Sequence, residues 1–342
     1  MAALPQKILI IRNDKLGDFM LSLPVFKLLK QALPQTSLHA LVPEYTRDIA
    51  LACDAIDEVI IDPGKDAAFR EQRQLLHTIR QQHYAAVITL FSTTRIGLCL
   101  WLAGIPYRLA PATKLAQIFY NHRLSQRRSR SEKPEYQYNL DLAYHYLRDQ
   151  QIDTDTSVAL PYLRFPQNCV TEQKRVFLDS QNISGDPKLI IVHPGSGGSA
   201  NNLSLQQFAR LIHQLKLNSN YHVVITAGPD EQAIARELST LLEDTPHSVY
   251  NSQSGLISFA QFLQNAVLFI SGSTGPLHIA GALDVPTAAF YPRRRSATSL
   301  RWQTLNSEEN RLGFMPPADA DEQAMQRIDI DAAAKQITDK FL

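Results

Sequence analysis

The feature that most constrains this chain is a rhythm that runs along it twice. Short, nearly unbroken apolar runs alternate with longer segments whose apolar residues repeat at helical spacing. Lys7-Ile8-Leu9-Ile10-Ile11-Arg12 is the first run, and the apolar positions 21, 25, 28, 29 and 32 after it fit one helix face. Residues 37–42, 58–61 and 85–90 read as further strands, with a very polar helix at 69–83. The pattern loosens at 107–134, tightens into a helix at 138–148 and loosens again at 153–187. It then restarts, with strands at 189–193, 222–227, 267–271 and 287–291. Helices follow at 205–217, 230–242, 257–265 and 277–283, and 329–342 reads as a last amphipathic helix. Strands that are apolar throughout are covered on both faces, which means a parallel sheet between layers of helices.

A chain of 342 residues exceeds one ordinary core and suits two domains. The expected fold class is therefore α/β, with two doubly wound domains facing each other across a cleft and ligands beyond the carboxyl ends of the strands. The interdomain linker is expected within 153–187, which holds Pro161, Pro166 and Pro187, giving domains of 1–165 and 166–342. The last helix, 329–342, is a candidate to pack back on the first domain. No short-period repeat appears, and the two halves read as similar in kind only.

Composition narrows the function. The formal net charge is +1, so no global field recruits nucleic acid or a membrane. Cys53, Cys99 and Cys169 are odd in number and lack metal-ligand spacing, which points to a reducing cytoplasm rather than a disulfide framework or a zinc site. Residues 1–7 lack the basic-then-apolar pattern of an export signal. The most apolar stretch, 85–103, is interrupted by Ser92, Thr93, Thr94 and Arg95, so it reads as a strand and a core helix, not a membrane span.

Several turns carry chemistry. Gly17 and Asp18 follow the first strand, where Arg12-Asn13-Asp14-Lys15-Leu16-Gly17 lacks the glycine spacing of a dinucleotide or P-loop site. Asp18 either caps the helix or takes the proton of an attacking hydroxyl. Lys15 and Arg12 either hold an anionic acceptor or stay solvated. His193-Pro194-Gly195-Ser196-Gly197-Gly198-Ser199 is either an anion-binding nest of backbone amides or an ordinary connection. His193 lacks a partner at ligand spacing and reads as structural, and no metal site is expected.

In Ser271-Gly272-Ser273-Thr274-Gly275-Pro276-Leu277-His278 a strand gives way to a helix whose first turn accepts proline. The free N–H groups and helix dipole there suit a diphosphate, with His278 either reaching a phosphate or packing quietly. Glu231, after Ala227-Gly228-Pro229-Asp230, either binds a ribose diol or favours the following helix N-terminus. The segment 108–133 holds Arg108, Lys114, Arg123, Arg127, Arg128, Arg130 and Lys133 against Glu132 alone. It is either a phosphate- and carboxylate-binding loop or a solvated one. Sparse aromatics and the lack of a nucleic-acid motif exclude nucleic acid as the partner.

Taken together, the run from Ile10 through Gly17-Asp18 to Leu23-Pro24-Val25, and Ser273-Thr274-Gly275-Pro276-Leu277-His278-Ile279-Ala280, resemble the glycosyltransferase family 9 heptosyltransferases. His193-Pro194-Gly195-Ser196 and the turn from Gly228 to Glu231 support the likeness, which spans nearly the whole chain. The resemblance implies the GT-B fold of two Rossmann-like domains, acceptor-binding first and nucleotide-sugar-binding second. It implies an inverting transfer from ADP-heptose to a lipopolysaccharide core acceptor, independent of metal and of any cofactor. Asp18 matches the family's general base; Ser196, Glu231, Thr274, Gly275 and His278 match donor-binding positions, beside Gly197 and Ser273; Lys15 lies near the acceptor. Arg127, Arg128 and Arg130 are the expected hold on an anionic glycolipid acceptor. A cytoplasmic protein in peripheral contact with the inner membrane follows. Two departures stand out: Ser273 where the family often has Asp, and Asn201 or its neighbour where it often has Lys. The competing readings are a transferase with another nucleotide-sugar donor, a nucleotide-sugar epimerase, and an idle relative that binds nucleotide sugar or glycolipid.

Overall fold

The structure is a computed structural model, and it describes residues 7–113, 115–153, 158–197, 201–228, 230–243, 245–251 and 255–342. Lys114, Gly198, Ser199 and Pro229 of the segments above lie outside those residues. The chain divides into two compact units, Met1–Arg128 with Lys133–Leu163, and Ser129–Glu132 with Arg164–Leu342.

In chain order the first unit contains β1 (Lys7–Ile11), α1 (Leu16–Met20), α2 (Leu23–Ala32), β2 (Ser37–Pro43), α3 (Arg47–Leu51) and β3 (Glu58–Asp62). It continues with α4 (Phe69–Gln81), β4 (Ala86–Thr89), α5 (Thr94–Leu102), β5 (Tyr107–Pro111), β6 (His122–Leu124) and α6 (Glu135–Asp149). The second unit contains α7 (Gln167–Ser180), β7 (Lys188–His193), α8 (Leu205–Gln214), β8 (Tyr221–Ala227), α9 (Gln232–Thr240) and β9 (His247–Asn251). It ends with α10 (Gly255–Leu263), β10 (Ala266–Gly272), α11 (Gly275–Ala282), β11 (Thr287–Phe290), β12 (Arg311–Phe314) and α12 (Ile330–Phe341).

Each unit has one six-stranded sheet, in the orders β3-β2-β1-β4-β5-β6 and β12-β11-β10-β7-β8-β9. Every pairing is parallel. Counted from its own first strand, the second sheet repeats the order of the first. The halves therefore share a topology and not merely a kind, although no sequence repeat announces it. Right-handed crossovers leave few ways to cover both faces of a parallel sheet. In each unit the strand order reverses between the first and fourth strands, and the crevice at their carboxyl ends is where such sheets take ligands.

The central strands are held from both sides. Leu9 and Ile11 of β1 join a core with Leu41, Ile60, Val87, Ile96 and Leu100, while Ile8 and Ile10, on the opposite face, are equally buried. In the second unit Ile190 and Val192 of β7 meet Leu268 and Ile270 of β10, with Phe208 and Ile212 packed over them. Each fully buried Ile or Leu contributes roughly 1.5–3 kcal/mol, so the loops after β1 and β7 spring from the most firmly held strands.

Three features add to the sequence reading. The stretch read as a linker contains α7, whose buried apolar residues are Val170, Phe177 and Leu178 amid polar ones. Helix α12 packs into the second unit's own core through Ile330, Ala333, Ala334 and Ile337. β5, β6, β9 and β12 add strands where the sequence rhythm is too weak to show them. No helix among the described residues is long and apolar enough to cross a membrane.

Candidate active site

In the first unit the crevice between β1 and β4 is built around a buried arginine. Arg12, just past β1, is 3% exposed. Its Nε donates to Asp14 Oδ1 at 2.8 Å, its Nη1 to Glu135 Oε1 at 2.9 Å and to Asn139 Oδ1 at 3.3 Å. Its Nη2 makes a very short ion pair with Asp18 Oδ1. Glu135 and Asn139 are one turn apart at the start of α6 and both buried. Asn139 also donates to Leu21 O at 3.1 Å. Arg128 completes the cluster, donating to the same Glu135 Oε1 at 2.7 Å and to Leu90 O, just beyond β4, at 3.3 Å. On the other side Asn13 donates to Asp62, which Arg95 Nη2 also holds at 2.6 Å. The loop that carries Asp18 is thus clamped from two directions.

Asp18 is the third residue of α1, whose N-cap position is Lys15, and no side chain caps that helix. Its carboxylate faces Arg12 instead, so the capping reading does not hold. Burial pushes its pKa up from 3.8 to about 6. Arg12 works against that rise, while the neighbouring charges of Asp14 and Glu135 add to it. Burial wins because one guanidinium is shared among three carboxylates. Burial opposes the charge of Arg12 itself, but the three acids hold its pKa above the ordinary value. A carboxyl that titrates near 6 is charged at neutral pH and still basic enough to take a proton.

Among the expected acceptor residues, Lys15 and Arg127 are exposed, and Arg130 pairs with Glu132 on the surface at 3.6 Å. Arg128 departs from the expectation of a free hold on the acceptor: Glu135, Leu90 O and Gln126 engage its guanidinium.

In the second unit the crevice between β7 and β10 is built from backbone and small residues. Glu231 Oε1 accepts from Gly197 N at 2.7 Å and Oε2 from Gly228 N at 3.1 Å. A Cβ on Gly195 would lie 2.0 Å from Glu231 Oε2, so the carboxylate occupies the space that only glycine leaves open. The loop expected to form an anion nest therefore has an anion from the chain itself at the Gly197 amide. His193, buried beside it, meets Thr226 Oγ1 at 3.0 Å through Nδ1 and lies 3.6 Å from Glu231 Oε2 through Nε2. Burial lowers its pKa against the pull of Glu231, in keeping with the structural role expected of it.

Asn202 is a residue the sequence reading missed. Its Nδ2 donates to Pro194 O at 2.8 Å, and a Cβ on Gly272 would lie 2.5 Å from its Oδ1. It ties the loop after β7 to the end of β10. Its neighbour Asn201 instead donates to Gln323 Oε1 at 2.8 Å.

Beyond β10, Thr274 caps α11, its Oγ1 accepting from Leu277 N at 3.5 Å, with Pro276 in the first turn. Ser273 and Gly275 flank it, each partly exposed. His278 is 3% exposed, and its Nδ1 has no hydrogen-bond partner. Burial lowers its pKa to about 4, so the ring is neutral at pH 7. An unsatisfied buried nitrogen costs roughly 1–3 kcal/mol. Among the described residues, no three His, Cys, Asp or Glu side chains are arranged to hold a metal ion.

Comparison with known proteins places these features in context. Residues 72–324 match the sequence model of glycosyltransferase family 9 (heptosyltransferase). A Haemophilus influenzae protein described provisionally as a glycosyltransferase is 46% identical, over 97% of this chain and 96% of its own length. The Escherichia coli ADP-heptose lipopolysaccharide heptosyltransferase II structure superposes with a TM-score of 0.78 at 18% identity, covering 98% of each chain. The E. coli heptosyltransferase WaaC structure with ADP gives 0.72 at 16% identity, covering 98% of this chain and 99% of that one. Likeness at such identities carries the fold, GT-B.

Proposed function

Because this chain belongs to glycosyltransferase family 9, we propose that it moves a heptose from ADP-heptose to a lipopolysaccharide core acceptor by a single, inverting displacement that needs no metal. Asp18 is the general base. It takes the proton of the acceptor hydroxyl as that oxygen attacks the anomeric carbon, while the bond to the diphosphate breaks on the opposite side. The observation that carries this reading is the seat of Asp18: largely sheltered beyond β1, oriented by Arg12, with its pKa raised to about 6. General-base assistance contributes roughly 10²- to 10⁴-fold to such a step.

The second unit is the donor domain. The α11 N-terminus, Thr274 and the neutral ring of His278 support a diphosphate there, and Glu231, with Ser196 and Gly197, supports the ribose. The first unit takes the acceptor, with Lys15 and Arg127 supplying positive charge. A lipid-linked acceptor implies work in the cytoplasm in peripheral contact with the inner membrane. The ADP bound to WaaC and the ADP-heptose for which the E. coli heptosyltransferase II is named favour this donor.

The test is Asp18→Asn. Transfer should fall at least about 100-fold while ADP affinity stays within about twofold. Near-normal turnover in that variant removes Asp18 from the role of base. Ser273 and Asn201 favour a different nucleotide-sugar donor as the second reading, and thermal stabilisation by ADP, UDP and GDP decides it.

A further inference from the structure

The loops that line the donor crevice carry hydroxyls, amides and glycines but no cation. Residues 193–203 after β7, 271–278 after β10 and 227–231 after β8 contain neither Lys nor Arg. A leaving diphosphate gathers negative charge as its bond to the sugar breaks, and a helix terminus offers only about half a positive charge. The next strand supplies what those loops lack. Beyond β11 the chain reads Tyr291-Pro292-Arg293-Arg294-Arg295-Ser296. β10 and β11 run in register with Gly272 opposite Phe290, so the turn at 273–275 and the arginines leave the sheet side by side.

Two contacts fix where this segment sits. Arg293 N donates to Glu322 O at 2.7 Å, and Asn201 donates to the next residue, Gln323, at 2.8 Å. Consecutive residues therefore strap the arginine loop to the loop after β7. Of the strap's acids, Asp319 lies 3.9 Å from Arg327 and Asp321 accepts from Gln323 N at 2.9 Å, while Glu322 is exposed. Arg293 is partly exposed, and Arg294 and Arg295 are exposed.

The direction of the sheet orders the ligand. Across it stand β8 with Glu231, β7 with the glycine loop, β10 with the Thr274 turn, and β11 with the arginines. Neighbouring strands are about 4.8 Å apart, so these four ends span roughly 14 Å. With the ribose at Glu231, the proximal phosphate falls over β7 and β10, and the distal phosphate reaches β10 and β11. We propose that Arg293, with Arg294 and Arg295, forms the cationic hold on the distal phosphate of the donor and of the nucleoside diphosphate that leaves. This rests on the donor reading above. Forked guanidinium–phosphate bonds suit that role, and the leaving oxygen, attached to that phosphate, is stabilised as its charge grows.

The test compares ADP with AMP by calorimetric titration, on the wild type and on the triple variant Arg293→Gln/Arg294→Gln/Arg295→Gln, with circular dichroism confirming the fold. The wild type should bind ADP better than AMP, and the triple variant should lose roughly 10- to 100-fold in ADP affinity while AMP affinity changes less than about twofold. Arg293→Lys should restore part of the loss. Inorganic pyrophosphate, which carries no base, should likewise protect the wild type against thermal unfolding more than the triple variant. Equal ADP and pyrophosphate binding in wild type and variant overturns the arginine hold and leaves the donor reading standing. A wild type that ignores ADP but still shows arginine-dependent pyrophosphate binding overturns the choice of donor and leaves the hold standing. An equal loss for AMP and ADP also overturns the assignment to the distal phosphate.

Discussion

Replacing Asp18 with Asn should flatten a pH dependence that the wild-type protein shows in two unrelated measurements. In the folded protein this carboxyl titrates near 6, against 3.8 ordinarily. Between those values the folded state keeps a proton that the unfolded chain has released, so stability falls as pH rises through the window. At about 1.4 kcal/mol per pH unit, the part of the gap crossed between pH 4 and pH 7 corresponds to a loss of about 2 kcal/mol. The side chain is 14% exposed, so solvent screens little of that amount. The chain has two tryptophans, and Trp101 lies in the first unit while Trp302 lies in the second. Urea unfolding followed by Trp101 fluorescence in a Trp302→Phe background reads the relevant unit alone. The stability of Asp18→Asn relative to its parent should rise by about 2 kcal/mol from pH 4 to pH 7. In the parent, kcat/KM should climb with pH through a midpoint near 6 as the base loses its proton. Parallel stability curves, together with a kinetic midpoint near 4, would refute the claim that burial outweighs Arg12.

Glu135→Gln removes a charge that raises the pKa of Asp18 while keeping an acceptor for Arg12 and Arg128. The kinetic midpoint should move to lower pH, and chemical denaturation should show a loss of about 3 kcal/mol from the broken buried pair. Gly195→Ala puts a methyl group where Glu231 Oε2 lies and should drive that carboxylate off the Gly197 and Gly228 amides. Stability should fall by about 2 kcal/mol and ADP affinity by about tenfold, read by titration. In a Glu231→Ala background the same substitution should be nearly silent, a non-additivity that tests the contact itself.

What the chain reveals before folding follows from how burial is encoded. β1, β4, β7, β8, β10 and β11 are legible because each is apolar along its length and lies inside its sheet. β6 and β12 are edge strands, reading His-Arg-Leu and Arg-Leu-Gly-Phe, and such half-covered strands need no apolar run. The helix start at Thr274 was readable from local chemistry, since strand, small residues and proline are consecutive. The setting of Asp18 was not, because Arg12 and Glu135 are 123 positions apart. In sequence, each looks like an ordinary solvated charge. Only the fold shows that they meet in the interior. Likewise Gly195 and Gly272 read as flexible loop residues, yet each is required by one neighbouring side chain, Glu231 and Asn202.

The long span between Arg12 and Glu135 also bears on how the protein is made. Synthesis delivers β1 first, with Asp14 and Asp18 beside its arginine, but Glu135 and Asn139, which complete the cluster, belong to α6, the last helix of the first unit. Domains fold as they emerge from the ribosome, and a nascent chain ending before residue 135 has its central strand but only the local half of the ion cluster. The ion cluster therefore works as a completion signal for the first unit, closing only when its last helix arrives. A polypeptide truncated a few residues too early should hold much of its sheet, with Arg12 and Asp18 not yet fixed by α6.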